Sequence, residues 1–209
     1  MGCVWTKRRK FSMLAAQTCF TVQEVAAIYT LFKKLSNSIT KDGVISRDEL
    51  RLGLFGNSKQ HNLFADRIFD MFDSKHDGVI EFEEFVKALS VFHPNTPQLQ
   101  KIQFAFQLYD IQNNTYIGPD EVKQIVVAFL DESDLVFSDD IIEAIIHKTL
   151  QEVDSKCDGK IDMEEWKEFV IRNPAILRNL TIPYLLDIGN TFPGFVSMPQ
   201  VKGENGKNY

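Results

Sequence analysis

Apolar residues recur along this chain at the three- and four-residue spacing that lines up side chains on one face of a helix. Val25, Ile28, Leu31, Phe32 and Leu35 form one such stripe, and Ile68, Phe69, Met71 and Phe72 a second. Phe104, Phe106, Leu108 and Tyr109 form a third, and Ile141, Ile142, Ile145, Ile146 and Leu150 a fourth. Each stripe predicts a helix running into a polar stretch. Thr21-Val22-Gln23-Glu24 has the hydroxyl and carboxylate of a capping box and opens the first helix; Ser46-Arg47-Asp48-Glu49 repeats the pattern. Two prolines break the periodicity at Val91–Pro97, where Thr96 is expected to cap the helix that begins at Pro97. After Asn173 come Pro174, Pro183, Pro193 and Pro199, a short helical candidate around Tyr184-Leu185-Leu186, and a polar end from Lys202.

The polar stretches between helices repeat. Asp73-Ser74-Lys75-His76-Asp77-Gly78-Val79-Ile80-Glu81-Phe82-Glu83-Glu84 recurs almost position for position from Asp154 to Glu165. Both match a twelve-residue loop that surrounds a hard cation with oxygens: carboxylates at positions one and five, a carbonyl at seven and a bidentate glutamate at twelve, with a turn-permitting glycine at six. These are EF-hand loops, and the cation they imply is calcium. One set comprises Asp73, Asp77, the carbonyl of Val79 and Glu84; the other comprises Asp154, Asp158, the carbonyl of Lys160 and Glu165. Lys75 and Lys156 at position three offer no oxygen and add a positive charge, which weakens both sites.

A third loop keeps Asp110, Gln112, Asn114, the Tyr116 carbonyl and Glu121, but has Thr115 where glycine belongs, so it should bind most weakly or act only as a structural hand. The fourth unit, Ser36 to Glu49, has fourteen residues. Glu49 is its anchor, Asp42 its position-five acid, and carbonyls near Ser36 and Ile39 would close the shell; an empty loop fits nearly as well. Ile45, Ile80, Ile117 and Ile161 all occupy loop position eight, where a β-branched residue suits a short strand joining two hands. The expected architecture is therefore all-α: four EF-hands in two paired lobes, with short two-stranded β bridges between loops. An N-terminal segment (1–20) precedes one hand pair (21–93), a second pair (97–172) and a tail (173–209).

Composition narrows the function. Twenty-nine acidic against 23 basic side chains give a net charge of -6, which disfavours nucleic acid and suits cation binding. The 17 phenylalanines supply an aromatic-rich core of the kind that becomes an apolar groove when hands open. Cys3, Cys19 and Cys157 are too few and too scattered for a disulfide framework or a CxxC metal site, and they fit a reducing compartment. His61, His76, His93 and His147 join no catalytic motif, so no enzyme is expected.

Met1-Gly2-Cys3-Val4-Trp5-Thr6 satisfies the N-myristoylation pattern on Gly2, and Cys3 is a candidate for palmitoylation. Lys7-Arg8-Arg9-Lys10 would lie against anionic headgroups at about 1 kcal/mol per charge. A secretory signal is not expected, because Gln17 and Thr18 interrupt the apolar stretch that begins at Phe11. The expected location is the cytoplasmic face of a membrane, the plasma membrane first, with a cytosolic fraction.

Phe64-Ala65-Asp66-Arg67-Ile68-Phe69-Asp70-Met71-Phe72-Asp73, Leu89-Ser90-Val91-Phe92-His93-Pro94-Asn95, Glu121-Val122-Lys123-Gln124 and Phe192-Pro193-Gly194-Phe195-Val196, with the fourteen-residue first loop, resemble the plant calcineurin B-like calcium sensors over nearly the whole chain beyond the first fifteen residues. The resemblance implies a partner, a serine/threonine kinase whose regulatory region carries an Asn-Ala-Phe motif and docks as an amphipathic helix. Groove candidates are Leu31, Leu35, Phe55, Phe72, Phe85, Phe92, Phe106 and Phe129. In that family the tail motif usually reads Phe-Pro-Ser-Phe, with its serine phosphorylated by the partner; Gly194 removes that hydroxyl, although Ser197 lies nearby. A regulatory subunit of a calcium-dependent phosphatase and a calcium buffer are the alternatives, and homodimer formation stays open.

Overall fold

The computed structural model describes residues 2–55, 63–132 and 135–180. The chain is predominantly helical. A first helix, α1 (Gly2–Gln17), precedes the four hands, whose flanking helices are α2 (Val22–Leu35) and α3 (Arg47–Phe55), α4 (Leu63–Phe72) and α5 (Phe82–Leu89), α6 (Gln98–Tyr109) and α7 (Pro119–Glu132), and α8 (Asp139–Val153) and α9 (Met163–Arg172). Short 3-10 turns follow at Ser90–Phe92 and Pro174–Leu180.

The four isoleucines at loop position eight join the hands in pairs. Ile45 and Ile80 exchange backbone hydrogen bonds of 3.0 and 2.9 Å in an isolated antiparallel bridge. Strand β1 (Tyr116–Ile117) pairs antiparallel with β2 (Ile161–Asp162), with Ile117 opposite Ile161. All four are buried, so each bridge joins loop to loop by hydrogen bonds on one side and by apolar contact with the core on the other.

Two cores result. Val25, Ile28, Phe32 and Leu35 of α2 meet Phe69 and Phe72 of α4 and Phe85, Val86 and Leu89 of α5 in the first. Ile102, Ala105 and Phe106 of α6 meet Ile142 and Ile146 of α8 and Trp166 and Val170 of α9 in the second. The indole N–H of Trp166 donates to the buried Ile102 carbonyl at 3.1 Å, so this large ring is buried without losing its hydrogen bond.

The break at 91–97 divides the chain more sharply than it divides the packing. Phe104 of α6 belongs to the first core, edge-on to Phe92 at 5.2 Å. His93 lies against Phe20 at 5.2 Å between ring centroids, and its Nε2 stands 3.8 Å from Glu24. Thr96 does not cap the next helix as the sequence predicts. Its hydroxyl donates to the Ser90 carbonyl at 2.5 Å and closes the turn instead, leaving Pro97 at the helix start without a side-chain cap. The capping boxes at Thr21 and Ser46 form as expected: Glu24 accepts from the Thr21 N–H at 2.7 Å, and Glu49 from the Ser46 N–H at 3.0 Å.

Helix α1 has no counterpart among the predicted elements. It lies against α2 and α5, burying Leu14 to 2 % exposure and packing Phe11 on Tyr29 and Phe82 at 5.4 and 5.9 Å. The Lys7 and Lys10 ammonium groups sit over the Tyr29 and Phe82 rings at 5.3 and 5.9 Å. No helix among the described residues is long and apolar enough to cross a membrane. Truncating Leu14 to alanine should lower the chain's unfolding free energy by roughly 2–5 kcal/mol, whereas Met13→Ala, at an exposed position of the same helix, should stay within about 0.5 kcal/mol. Urea denaturation of both variants measures the difference.

Candidate calcium sites

The twelfth-position glutamate has the same double attachment in every hand. One carboxylate oxygen accepts from the N–H at position nine, which starts the exiting helix: Ser46 for Glu49 at 3.0 Å, Glu81 for Glu84 at 2.9 Å, Gly118 for Glu121 at 2.8 Å and Asp162 for Glu165 at 3.0 Å. The other accepts from an N–H near the loop start: Thr40 at 3.1 Å, Lys75 at 3.1 Å, Gln112 at 3.0 Å and Lys156 at 2.9 Å. All four glutamates are buried, and each is held by charge-assisted bonds from both ends of its loop.

The first-position aspartates are held in a similar way. Asp73 accepts from the N–H groups of Asp77 and Gly78, Asp110 from those of Asn114 and Thr115, and Asp154 from those of Asp158 and Gly159. The position-five side chains bond the N–H at seven: Asp77 to Val79, Asn114 to Tyr116, Asp158 to Lys160, and Asp42 to Val44. That last bond places Asp42 in register with the other three despite the two extra residues.

These turns need left-handed backbone at two positions in the second, third and fourth loops and at one in the first. Position six is Gly78 at φ 84°, Gly159 at φ 81° and Gly43 at φ 83°; in the third loop it is Thr115 at φ 72°. A β-branched residue there costs of order 1–3 kcal/mol, so the third loop is strained as its sequence implies. Position four is also left-handed, at His76, Asn113 and Cys157. In the longer first loop only Gly43 has positive φ among the described residues, and the buried Ser36 stands where an aspartate opens the other loops.

The position-three lysines do something the sequence did not reveal. Lys75 reaches the position-nine carboxylate of Glu81 at 2.6 Å, and Lys156 reaches that of Asp162. The Asp162 carboxyl is held below its ordinary range mainly by the bond from Lys156, and both ammonium groups are held above theirs. Each lysine thus neutralises the acid that often holds a calcium through water, so its effect on the site is a lost ligand at three and an occupied one at nine. Glu81 and Asp162 were absent from the predicted set; an acid six residues after each lysine was the available signal.

An oxygen-only donor set fits calcium. Among the described residues, ligand oxygens of Asp154, Asp158 and Glu165 come within 4.8 Å of one another, the convergence a single hard cation requires. The ion would add positive charge among these carboxylates, and Glu165 would have to exchange its bonds from Ser155 and Lys156 for it. Among the described residues no other three carboxylates converge so closely, so the remaining predicted ligands, Asp73, Asp77, Val79, Glu84, Asp110, Gln112, Asn114, Tyr116 and Glu121, are not gathered in this way.

Of the groove candidates, Leu35, Phe72, Phe85, Phe92 and Phe106 are core residues in this conformation, and Leu31 is half-buried against the first core. The reason is mutual ring packing, as in the Phe32–Phe85 and Phe72–Phe85 pairs at 5.7 and 6.2 Å. Phe129 is 51 % exposed beside Phe64. The side chains of Gly2, Cys3 and Phe55, and the tail bearing Tyr184, Gly194 and Ser197, lie outside the described residues.

Comparison with known proteins agrees with this geometry. The EF-hand domain pair model matches residues 99–171, and the EF hand domain model matches residues 64–92. The chain is 44% identical over 202 residues to calcineurin B-like protein 5 of Arabidopsis thaliana, covering 94% of this chain and 100% of that protein. It is 35% identical to the calcineurin B subunit of Naegleria gruberi, covering 71% of this chain and 80% of the relative. Against the calcineurin B subunit of Schizosaccharomyces pombe identity is 33%, covering 77% and 87%.

Replacing Thr115 with glycine should relieve the left-handed strain and stabilise the calcium-loaded C-terminal hand pair by about 1 kcal/mol. Thermal unfolding in calcium, read against the unmodified chain, tests this.

Proposed function

The chain belongs to the calcineurin B-like family of EF-hand proteins, calcium-binding regulators without catalytic activity of their own; on that basis we propose that it is a calcium sensor that binds and activates a serine/threonine protein kinase. The kinase would present a regulatory segment with an Asn-Ala-Phe motif, the partner that the family resemblance implies. The observation that carries this reading is the full-length similarity to a calcineurin B-like protein, stronger and longer than that to the phosphatase subunits.

The unequal loops support a sensor over a buffer, because the position-three lysines Lys75 and Lys156, the strained Thr115 and the long first loop lower affinity by three different routes. The buried Leu35, Phe72 and Phe85 supply apolar surface that becomes a groove only when the helices part. Exposed Val127, Phe129, Leu135, Val136, Phe137 and Ile141 around the α7–α8 connection already offer an apolar face on the C-terminal lobe. A kinase regulatory peptide should bind more tightly in calcium than in chelator, and Glu84→Gln with Glu165→Gln should remove most of that difference. Isothermal titration with the peptide measures it, and equal binding in both conditions would end the sensor reading.

We further propose that the chain is tethered to the cytoplasmic face of a membrane, such as the plasma membrane, through a myristoyl group on Gly2 and a palmitoyl group on Cys3. The exposed Lys7, Arg8, Arg9 and Lys10 support this, since one acyl chain alone gives marginal anchoring and a basic run supplies a second attraction. Gly2→Ala should move the protein from the membrane to the soluble fraction on cell fractionation.

A further inference from the structure

Arg67 is the least expected residue of α4. It is 8 % exposed, and it points out of the first lobe into the start of the third loop. One terminal nitrogen donates to the carbonyls of Gln107 at 2.6 Å and Asp110 at 2.8 Å and to the Asn113 side-chain oxygen at 3.3 Å; the other donates to the Ile111 carbonyl at 3.4 Å. Its Nε is fully shielded and has no hydrogen-bond partner among the described residues. The acids on its own helix are engaged elsewhere, Asp70 by Arg47 and Asp66 by Arg51, each at 2.6 Å. A buried guanidinium held by the carbonyl end of α6 is favoured by the helix dipole, yet it retains an unsatisfied donor, which is costly for a merely structural contact.

We propose that Arg67 is a positioning residue that couples the second and third hands, so that the cation affinity of the third loop depends on the state of the second. Arg67 lies six residues before Asp73, on the helix that enters the second loop. Glu84 must leave Ser74 and Lys75 when it turns to a cation, and the resulting change in angle between α5 and α4 moves the guanidinium. The carbonyls of Asp110 and Ile111 and the side chain of Asn113, all within loop positions one to four, either follow it or lose it. A cavity of about 780 Å³ beside Arg67, walled by Glu84, Phe72, Phe104 and Asn113, leaves room for that movement. The proposal rests on the third loop taking a cation, and by linkage the third loop acts back on the second to the same degree.

Terbium titration of the full-length protein tests this, reading luminescence sensitised by Tyr116, the position-seven residue of the third loop, with Tyr116→Phe as the control that removes the signal. With Arg67 in place, Glu84→Gln should weaken terbium binding at the third loop by about fivefold or more. In an Arg67→Leu background the same substitution should change it less than about twofold, and in Arg67→Lys, which keeps the charge but not the forked geometry, by an intermediate factor. Thermal unfolding identifies any variant that has lost its fold; if Arg67→Leu has, the Arg67→Lys comparison decides. An equal Glu84→Gln effect with and without Arg67, or none in the unmodified chain, overturns the coupling. Absence of any Tyr116-dependent signal overturns it at the level of third-loop occupancy. No kinase enters the assay, so its failure is separable from that of the kinase reading.

Discussion

The structure depends on one recurring constraint, a buried glutamate that closes each loop from both ends. Glu49, Glu84, Glu121 and Glu165 each accept an N–H that starts the exiting helix and another from the opening of the loop. A buried carboxylate is tolerated only when its oxygens are satisfied. The loop and helix N–H groups satisfy them, and they also fix the angle at which the exiting helix leaves. The oxygens that hold the loop shut are those a calcium ion would claim, so ligation and helix angle share one side chain.

That shared role explains why variation elsewhere in the loops is tolerated. Lys75 and Lys156 remove a ligand but find Glu81 and Asp162, which keeps the loop electrically balanced. Thr115 accepts a strained backbone because the Asp110 carboxylate still draws its N–H inward. The first loop lacks an opening aspartate, yet Glu49 still gathers the N–H groups of Ile39 and Thr40. The loops keep their shape while their ligand sets differ, which suits a protein whose response depends on more than one site.

The two lobes are not independent. Phe104 of α6 enters the first core, Phe64 of α4 meets Phe129 of α7 at 4.7 Å, and Arg67 bonds the start of the third loop. These contacts cross from the second hand to the third, so rearrangement in either lobe is felt by the other. Helix α1 belongs to the first lobe alone, where the segment bearing the basic run also buries Leu14 in the first core.

The sequence by itself determined the four-hand plan. Ligand residue types at fixed loop offsets and an isoleucine at position eight are local requirements, imposed by oxygen coordination and by strand pairing, so they are written where they act. The positions of Asp73, Asp154, Glu84 and Glu165, and the pairing of Ile45 with Ile80 and of Ile117 with Ile161, could be read on that basis. Only the tertiary structure decided what depends on neighbours distant in the chain. Phe11, Leu14 and Ala15 make a stripe too short to announce a docked helix, and Tyr29 and Phe82 give it a seat only after the lobe has formed. Lys75 meets Glu81 because the loop curls back on itself. Arg67 reads as one more cation on an amphipathic helix until α6 brings its carbonyl end within reach, more than forty residues along the chain.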